Sequence, residues 1–212
     1  MNYICNCYKD NFFDKKYSYW EDRKITNDEM DIINFISNSE KLKLKSILHI
    51  GIGNSFLASK LKDFNEIIGI TISQNEIKYA STKNIINYKY FFLNKYEANS
   101  LDIFENKKFD IIIDTNIKSF SCCDNAFNNL FKQYVNSLSY SGYIISHING
   151  LKWSRIVRPK LSFSLKNFFH KRLKEYDGPL NNKLGISDCE ILANENNLKL
   201  DLDNTNLVIF KK

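Results

Sequence analysis

Apolar residues along this 212-residue chain fall into short continuous runs that alternate with stretches of helical periodicity. The runs are rich in isoleucine, leucine and phenylalanine, which predicts strands that are buried on both faces. Strands are predicted at 45–50, 66–72, 88–93, 109–114, 143–147, 198–202 and 207–210. Helices are predicted from about Asn27 onward and at 55–62, 74–82, 125–138 and 187–196. The order of elements is therefore an alternation of strand and helix that ends in two consecutive strands.

This alternation predicts a three-layer α/β fold, in which helices cover both faces of a mostly parallel sheet. Only a short turn at 203–206 separates the last two strands, so we expect a C-terminal antiparallel hairpin at one edge of the sheet. We expect residues 1–44 to form an N-terminal helical cap segment. Residues 45–212 form the main domain, with an insertion at about 151–183.

Composition adds limits on location and on metals. The chain is 43% hydrophobic and 25% charged, as soluble globular proteins are, and no apolar run is long enough to cross a membrane. Five cysteines without a signal peptide favour a reduced, cytoplasmic location. Their C-x-C and C-C spacings match no common zinc pattern, so no metal site is predicted. Heavy use of Lys, Asn and Ile weakens the net charge of +6 as evidence for a nucleic-acid partner.

The turn after the first strand carries two glycines. Gly51 lets the chain turn sharply, and Gly53 lets a ligand approach the backbone, where it would meet the amides that start the next helix. A dinucleotide site would also need a third glycine, where this chain has Phe56, and an acid at the end of the second strand, where it has Thr71. The pattern favours a nucleotide-like ligand that has no pyrophosphate.

Together with the terminal hairpin, the turn resembles that of class I S-adenosylmethionine-dependent methyltransferases over roughly residues 17–212. Gly69-Ile-Thr-Ile-Ser73 is similar to a signature of the cyclopropane fatty-acid synthase branch and its small-molecule and phospholipid N-methyltransferase relatives. Tyr17-Ser-Tyr-Trp20 and Ile145-Ser-His-Ile-Asn-Gly150 fall where that branch has a tyrosine-serine segment and a histidine-bearing segment. The Glu-His segment of the cyclopropane synthases is missing, so the resemblance implies methyl transfer to O or N. His49 departs from the family, which usually has an acid there.

The resemblance implies a Rossmann-like methyltransferase sheet that binds S-adenosylmethionine at the carboxyl ends of its strands. The cofactor contacts that it implies are Gly51, Gly53, Thr71, Ile72, Glu76, Asn94, Asp114 and Tyr19. Glu76 falls where the resembled branch has a ribose-binding glutamine, and Asn94 would reach the adenine edge. Tyr19, with Trp20, would cover the cofactor, unless the pair is a plain aromatic cap on the core.

Two residues are candidates for catalysis. His147 ends the fifth predicted strand and titrates near neutral pH, so it is a candidate base for a hydroxyl acceptor. The alternative is that His147 only forms hydrogen bonds with neighbouring backbone. Asp114 ends the clearest predicted strand in a carboxylate, which commonly opens on a pocket. His49 and the Cys122–Cys123 pair are expected to be structural.

The insertion is basic. The positive residues between Leu151 and Lys174, where no acid occurs, are Lys152, Arg155, Arg158, Lys160, Lys166, Lys171, Arg172 and Lys174. An apolar stripe accompanies them at helical spacing, so this piece could be a lid, a helix on an anionic membrane surface, or a solvated helix that packs by its stripe. We favour a lid over the acceptor, in which Arg155 and Arg158 clamp an anionic group and Trp153 contacts the substrate.

Three functions fit these observations. The leading hypothesis is methyl transfer to O or N of a small-molecule, lipid- or sugar-linked, anionic acceptor, with peripheral membrane contact as a further expectation. The second is an RNA methyltransferase, which the aromatic residues within the basic segment suggest. It is not favoured, because the chain has no extra RNA-binding domain and no aromatic directly after the fourth strand. The third is a catalytically degenerate fold that binds a ligand or a partner, which His49 and Thr71 keep open.

Overall fold

A computed structural model describes residues 24–62, 66–97, 99–104, 107–119, 121, 123–152, 183–202 and 206–212. The strands are β1 (Ser46–Ile50), β2 (Glu66–Thr71), β3 (Tyr88–Phe92), β4 (Phe109–Ile113), β5 (Leu138–His147), β6 (Lys199–Leu202) and β7 (Leu207–Lys211). The helices are α1 (Asn27–Ser37), α2 (Phe56–Lys60), α3 (Gln74–Thr82), α4 (Asp124–Ser137), α5 (Ile148–Leu151) and α6 (Ile186–Glu195). Short 3₁₀ turns lie at Glu40–Leu42 and Ser100–Phe104.

The described strands form one sheet in the order β3-β2-β1-β4-β5-β7-β6. Strands β1 to β5 pair in parallel, and β7 runs antiparallel to both β5 and β6. The predicted three-layer α/β fold with a C-terminal antiparallel hairpin is therefore confirmed. The second strand of the hairpin, β7, lies inside the sheet, and β6 forms the edge.

Two apolar layers hold helices against the sheet. On one face, α1 and α2 pack Ile32, Ile36 and Leu57 against the inner strands. On the other face, α4 and α6 bury Phe131 and Leu192 together with their neighbours. The connections that follow β1 and β4 therefore lead to helices on opposite faces, although these two strands are neighbours. A crevice at the carboxyl ends of such a strand pair is where open α/β sheets bind ligands.

Local sequence accounts for where α1 and α3 begin. Thr26 and Glu29 form a reciprocal capping box at the start of α1, with Thr26 N donating to Glu29 Oε2 at 2.9 Å and Glu29 N donating to Thr26 Oγ1 at 3.2 Å. Ser73 caps α3 by accepting from Glu76 N at 3.3 Å. The Ser73 cap fixes the start of α3 directly beyond the end of β2, and this position of α3 helps to form the candidate site.

The sequence prediction was wrong at the start of β5. We expected helix to Leu138 and a strand only from residue 143, whereas β5 begins at Leu138 and runs through Ser141 and Gly142, which are typical of a turn. The pairing register with β4 shifts between Phe109 and Ile111, so this part of the ladder is irregular. A Cβ on Gly142 would lie 3.1 Å from Ser139 O and 3.2 Å from Asp110 O, so the backbone is closely packed at the irregularity.

No helix in the described ranges is both long enough and apolar enough to span a membrane.

Candidate cofactor site

The glycine turn between β1 and α2 lies at the carboxyl end of the sheet. Gly51 N donates to Ile70 O at 2.8 Å, which holds the turn against β2. Gly51 and Gly53 have φ of +73° and +52°, values that favour glycine. A Cβ built on Gly51 would meet nothing within 4 Å. The backbone here borders open space, as the approach of a ligand requires.

The amides at the start of α2 are less available to a ligand than the sequence suggested. The helix has five residues, and its first amide, Phe56 N, already donates to Asn54 Oδ1 at 3.2 Å. Ser55 before it adopts a left-handed conformation with φ of 56°. The open space beside the Gly51 backbone, rather than the amides of the helix, is therefore the better candidate for ligand contacts.

Glu76 supplies the carboxylate that the end of β2 lacks. Thr71 Oγ1 donates to Glu76 Oε2 at 2.6 Å, and Gly53 N donates to the same oxygen at 3.2 Å. The cap by Ser73 places Glu76 in the first turn of α3, from which its side chain reaches back to the end of β2. Glu76 and Thr71 are 9% and 5% exposed. In the sequence, Thr71 stands where an acid is usual at the end of the second strand. The structure brings an acid, Glu76, to the same place from α3.

Two further predicted contacts lie at the same end of the sheet. Ile72 follows β2 and is half-buried. Asn94 follows β3, where Leu93 N donates to Thr71 O at 2.8 Å, and its side-chain Oδ1 accepts from Tyr96 N at 3.0 Å. The structure thus brings these residues together at the carboxyl ends of three adjacent strands, β1, β2 and β3: Gly51, Gly53, Thr71, Ile72, Glu76 and Asn94.

Asp114 belongs to a buried ionic cluster. Lys95 Nζ donates to Asp114 Oδ2 at 2.7 Å, and Tyr134 OH donates to the same oxygen at 2.8 Å. Burial lowers the pKa of Lys95, against the opposing effect of Asp114. Burial, reinforced by Asp114, raises the pKa of Tyr134 well above its usual value. Asp114 is 2% exposed, and its contacts with Lys95 and Tyr134 are of a structural kind. Its predicted part in catalysis and cofactor binding stays a prediction.

The same lysine ties down the segment after β4. Its ammonium also donates to Asn116 O at 3.3 Å and to Ile117 O at 3.2 Å. Tyr96, the next residue, donates its hydroxyl to Ser119 O at 2.6 Å. Lys95 was not predicted from the sequence, because a lysine after a strand is usually an ordinary surface residue.

His147 ends β5, as predicted, and connects α5 to α1. Its Nδ1 accepts from Asn149 N at 3.1 Å, which puts the proton of the neutral ring on Nε2, 3.2 Å from Asp31 Oδ2. Asp28 Oδ1 lies 3.4 Å from Nδ1 and accepts from Asn149 Nδ2 at 3.0 Å. Both ring nitrogens are thus engaged within the protein. These contacts favour the structural alternative, and a general-base role for His147 stays a prediction that they do not support.

The remaining predicted residues divide into two groups. His49 lies in β1 and is 4% exposed, in keeping with a structural role. Tyr19, Trp20, Trp153, Arg155, Arg158 and Cys122 lie outside the described residues. Within the described ranges, no group of three or more His, Cys, Asp or Glu residues is placed to hold a metal ion.

The base of the basic insertion is visible even though most of the insertion is not described. Leu184 N donates to Leu151 O at 2.9 Å, so the chain leaves and returns at the same point. An open cleft lies beside this point, between α4 and α6, and its lining includes Lys118, Asp188 and Leu184. The cleft shares no lining residue with the glycine turn. Within the residues that the structure describes, only the turn combines left-handed glycines with a carboxylate at the strand ends, which makes it the candidate cofactor site.

Comparisons with known proteins give the fold a class. No protein-family model matches the chain. No curated protein matches it either. Among solved structures, the N-methyltransferase NodS from Bradyrhizobium japonicum WM9, in complex with S-adenosyl-L-homocysteine, aligns with a TM-score of 0.58 at 10% identity over 87% of this chain and 85% of its own. A TehB-like SAM-dependent methyltransferase from Corynebacterium glutamicum aligns with a TM-score of 0.56 at 12% identity over 90% of each chain.

A third similar structure is an O-methyltransferase family protein from Burkholderia thailandensis, with a TM-score of 0.57 at 8% identity. The alignment covers 86% of this chain and 55% of that one. At such low identities the likeness concerns the fold. The chain has the fold of class I S-adenosylmethionine-dependent methyltransferases, as the sequence analysis predicted. The finer resemblance to the cyclopropane fatty-acid synthase branch stays a prediction.

Proposed function

We propose that the protein is an S-adenosylmethionine-dependent methyltransferase that acts on O or N of a small-molecule acceptor. The observation that carries this proposal is the corner formed by Gly51, Gly53 and Glu76. There the turn leaves open space beside Gly51 and a carboxylate stands at the end of β2. Solved structures of the same fold, described as N- and O-methyltransferases, support it.

The residues present fit the cofactor. Open space beside Gly51 admits a ligand against the backbone, and the Glu76 carboxylate is the kind of acceptor that ribose hydroxyls require. When bound, S-adenosylmethionine would supply an electrophilic methyl group on a sulfonium. Gly51, Gly53, Thr71, Ile72, Glu76 and Asn94 would bind and orient the cofactor. Alignment alone can supply several kcal/mol, roughly 7–11 in the best cases.

The finer proposal concerns the acceptor. We propose that it is anionic and lipid- or sugar-linked, and that Trp153, Arg155 and Arg158 contact it from the basic insertion. The hydrogen bond between Leu184 and Leu151 supports this, because it fixes the base of the insertion next to the end of β5. Peripheral membrane contact through the same basic residues and a cytoplasmic location are part of the proposal, as is the division into a cap segment at 1–44 and a main domain.

The experiments below also distinguish two other functions, an RNA methyltransferase and a catalytically degenerate fold. An RNA methyltransferase would bind RNA with an affinity that falls steeply as salt rises, since phosphate contacts release counterions. A degenerate fold would bind neither S-adenosylmethionine nor S-adenosylhomocysteine. A ribosomal protein L11 methylase from Lactobacillus delbrueckii also aligns, with a TM-score of 0.53, so the fold by itself does not choose the acceptor.

Binding of the cofactor tests the proposal directly. Titration calorimetry with S-adenosylmethionine and S-adenosylhomocysteine should detect binding of both to the wild-type chain. Gly51→Ala should weaken it by at least about tenfold, since the new Cβ projects into the ligand space and strains a residue at φ +73°. Asn84→Ala is the matched control, because Asn84 is exposed, also has a positive φ of 48°, and lies away from the turn. Absence of binding at millimolar concentration would reject the proposal.

Substitutions of Glu76 test the assigned corner. Glu76→Ala should weaken binding by about 10- to 100-fold, because it removes the hydrogen-bond acceptor from this corner. Glu76→Gln should stay within several-fold of wild type, because an amide oxygen can still accept from Gly53 N and Thr71 Oγ1. Equal loss in both variants would show that charge matters, and loss in neither would place the ligand elsewhere.

The acceptor contacts are tested once a screen with radiolabelled cofactor has found an acceptor. Replacing Arg155 and Arg158 with Gln should raise its KM while calorimetric affinity for S-adenosylhomocysteine stays unchanged. An unchanged KM would reject the anionic clamp and leave the cofactor site intact.

A further inference from the structure

The two edges of the described sheet differ in character. The edge strand β6 carries charged residues of both signs at Lys199 and Asp201. The opposite edge strand, β3, reads Tyr-Lys-Tyr-Phe-Phe, with Phe92 56% and Phe91 37% exposed. Exposed sheet edges are usually protected by charges, prolines or bulges. β3 has no proline, its register with β2 is continuous over all five residues, and Lys89 is its one charge.

The hydrogen-bond pattern shows which groups of β3 face outward. Ile67 N donates to Asn87 O at 2.8 Å, and Leu93 N donates to Thr71 O at 2.8 Å. Odd-numbered residues therefore face β2, since backbone groups alternate in direction along a strand. The N–H and C=O groups of Tyr88, Tyr90 and Phe92 consequently point away from the sheet. Within the described residues no strand pairs with them.

We propose that β3 pairs in antiparallel fashion with β3 of a second copy of this chain, about a two-fold axis at Tyr90. The outward residues are evenly spaced around Tyr90, so this register makes each of them a hydrogen-bonded pair. Tyr90 pairs with Tyr90 of the second copy, and Tyr88 with Phe92 of the second copy. A two-fold axis needs only this one self-complementary patch, and it removes the exposed edge from both copies.

Side chains on the two faces of the paired strands are compatible with this register. On one face, Tyr88 lies opposite Phe92 of the second copy, an aromatic cross-strand pair of the kind that stabilises sheets. On the other face, Lys89 lies opposite Phe91 of the second copy, which places a cation beside an aromatic ring. No two like charges stand opposite each other. The occupant to which the structure points is therefore a second copy.

Ultracentrifugation tests the association from about 1 µM to about 100 µM, the range suited to a small interface. The wild type should show a reversible monomer–dimer equilibrium. Tyr90→Pro removes an outward N–H and spares the bonds to β2, so it should weaken association by at least about tenfold. Tyr90→Phe keeps the amide and the ring, and it should dimerise like the wild type. A monomeric wild type throughout the range would overturn the proposal.

A second pair of variants guards against misfolding of the proline variant. Phe92→Lys should weaken association by at least about tenfold, since it removes an apolar contact and adds charge at the edge. Leu202→Lys places the same charge at the β6 edge, where Leu202 is 48% exposed, and should leave the dimer unchanged. A dimer that Leu202→Lys disrupts, or that Phe92→Lys leaves intact, would place the interface elsewhere.

Amide hydrogen exchange identifies the occupant of the edge. In the dimer, the amides of Tyr88, Tyr90 and Phe92 should be protected, and dilution to monomer should expose them. The amides of Lys89 and Phe91 should stay protected at both concentrations, because they bond to β2. Protection of the even-numbered amides in the monomer would mean that another part of the same chain covers the edge, and would overturn the proposal.

Discussion

Lys95 places a buried ammonium between two loops at the carboxyl end of the sheet. It donates to Asp114 Oδ2 and to the carbonyls of Asn116 and Ile117, and its side chain is 11% exposed. A buried ion pair contributes little net stability relative to an apolar pair, but breaking it is costly because one charge stays buried without compensation. The pair therefore fixes geometry more than it adds stability.

Replacing Lys95 tests this account. Lys95→Met should reduce the free energy of unfolding by about 3–5 kcal/mol, because Asp114 would keep only the Tyr134 hydroxyl among its cluster partners. The double variant Lys95→Met/Asp114→Asn should recover most of the loss, since no buried charge remains. Urea unfolding of the wild type and of these two variants measures both values. Equal stability of the single and double variants would contradict the assignment of an ionic partnership.

For single residues, the sequence identified candidates but did not predict which of them contact one another. Gly51 and Gly53 were recognisable, because glycine at a strand-to-helix turn has few other uses. The contact of Glu76 with Gly53 and Thr71 depends on how α3 is capped and directed, which lies beyond local patterns. Lys95 and Asp114 are 19 residues apart, and their pairing follows from the order of the strands.

Among the elements, α5 is short but connects several parts of the molecule. His147 caps it, Asn149 reaches α1, and Leu151 meets Leu184 at the base of the insertion. Its Gly150 lies so close to the segment after β4 that an added Cβ would be 1.6 Å from Thr115 O. The backbones of the two segments are therefore in direct contact.

We expect Gly150→Ala to be strongly destabilising. Because backbone, and not a flexible side chain, occupies the space, the variant should lose at least about 2 kcal/mol of unfolding free energy. Gly185→Ala is the control, because its nearest neighbour would be Asp188 Oδ2 at 3.4 Å, an ordinary contact. Denaturation curves of both variants provide the comparison. A Gly150→Ala protein as stable as Gly185→Ala would show that α5 can move away from Thr115.

Elements were predictable where one local signal dominated. The helix at 74–82 was predicted at its observed bounds, because a serine cap and apolar spacing agree there. The strand at β4 was clear from its apolar β-branched run. The predicted start of β5 was wrong because Ser141-Gly142 is typical of a turn, whereas in the structure Leu138 and Tyr143 on either side of them both pair with β4. α5 has four residues, too few for periodicity to reveal.

The molecule as a whole buries several groups in their neutral form. Burial, with Asp188 and Glu190 nearby, raises the pKa of the Cys189 thiol to about 12 from its usual 9.0. Burial likewise raises the pKa of Tyr134. The folded state keeps these protons when the unfolded state has lost them. Such groups make folding less favourable as pH rises.

The pH dependence of stability follows from these directions. The free energy of unfolding should fall as pH rises from about 9 toward 12, and Cys189 should contribute up to about 1.4 kcal/mol per pH unit. Lys95 contributes with the opposite sign to the pH dependence of stability, because burial lowers its pKa in the folded state. Chemical denaturation of Cys189→Ala and wild type at several pH values isolates the thiol. Parallel curves for the two proteins would rule out its contribution.

The hydrogen bond between Leu184 N and Leu151 O also bears on how this protein could diversify. Because the chain returns to the point where it left, residues 152–183 form an excursion whose removal would leave two adjacent ends. A short glycine-containing connector could join those ends at little entropic cost, since loop closure depends only weakly on length. The two described ends of this segment, at Leu151 and Leu184, are therefore close enough for a short replacement segment to join them.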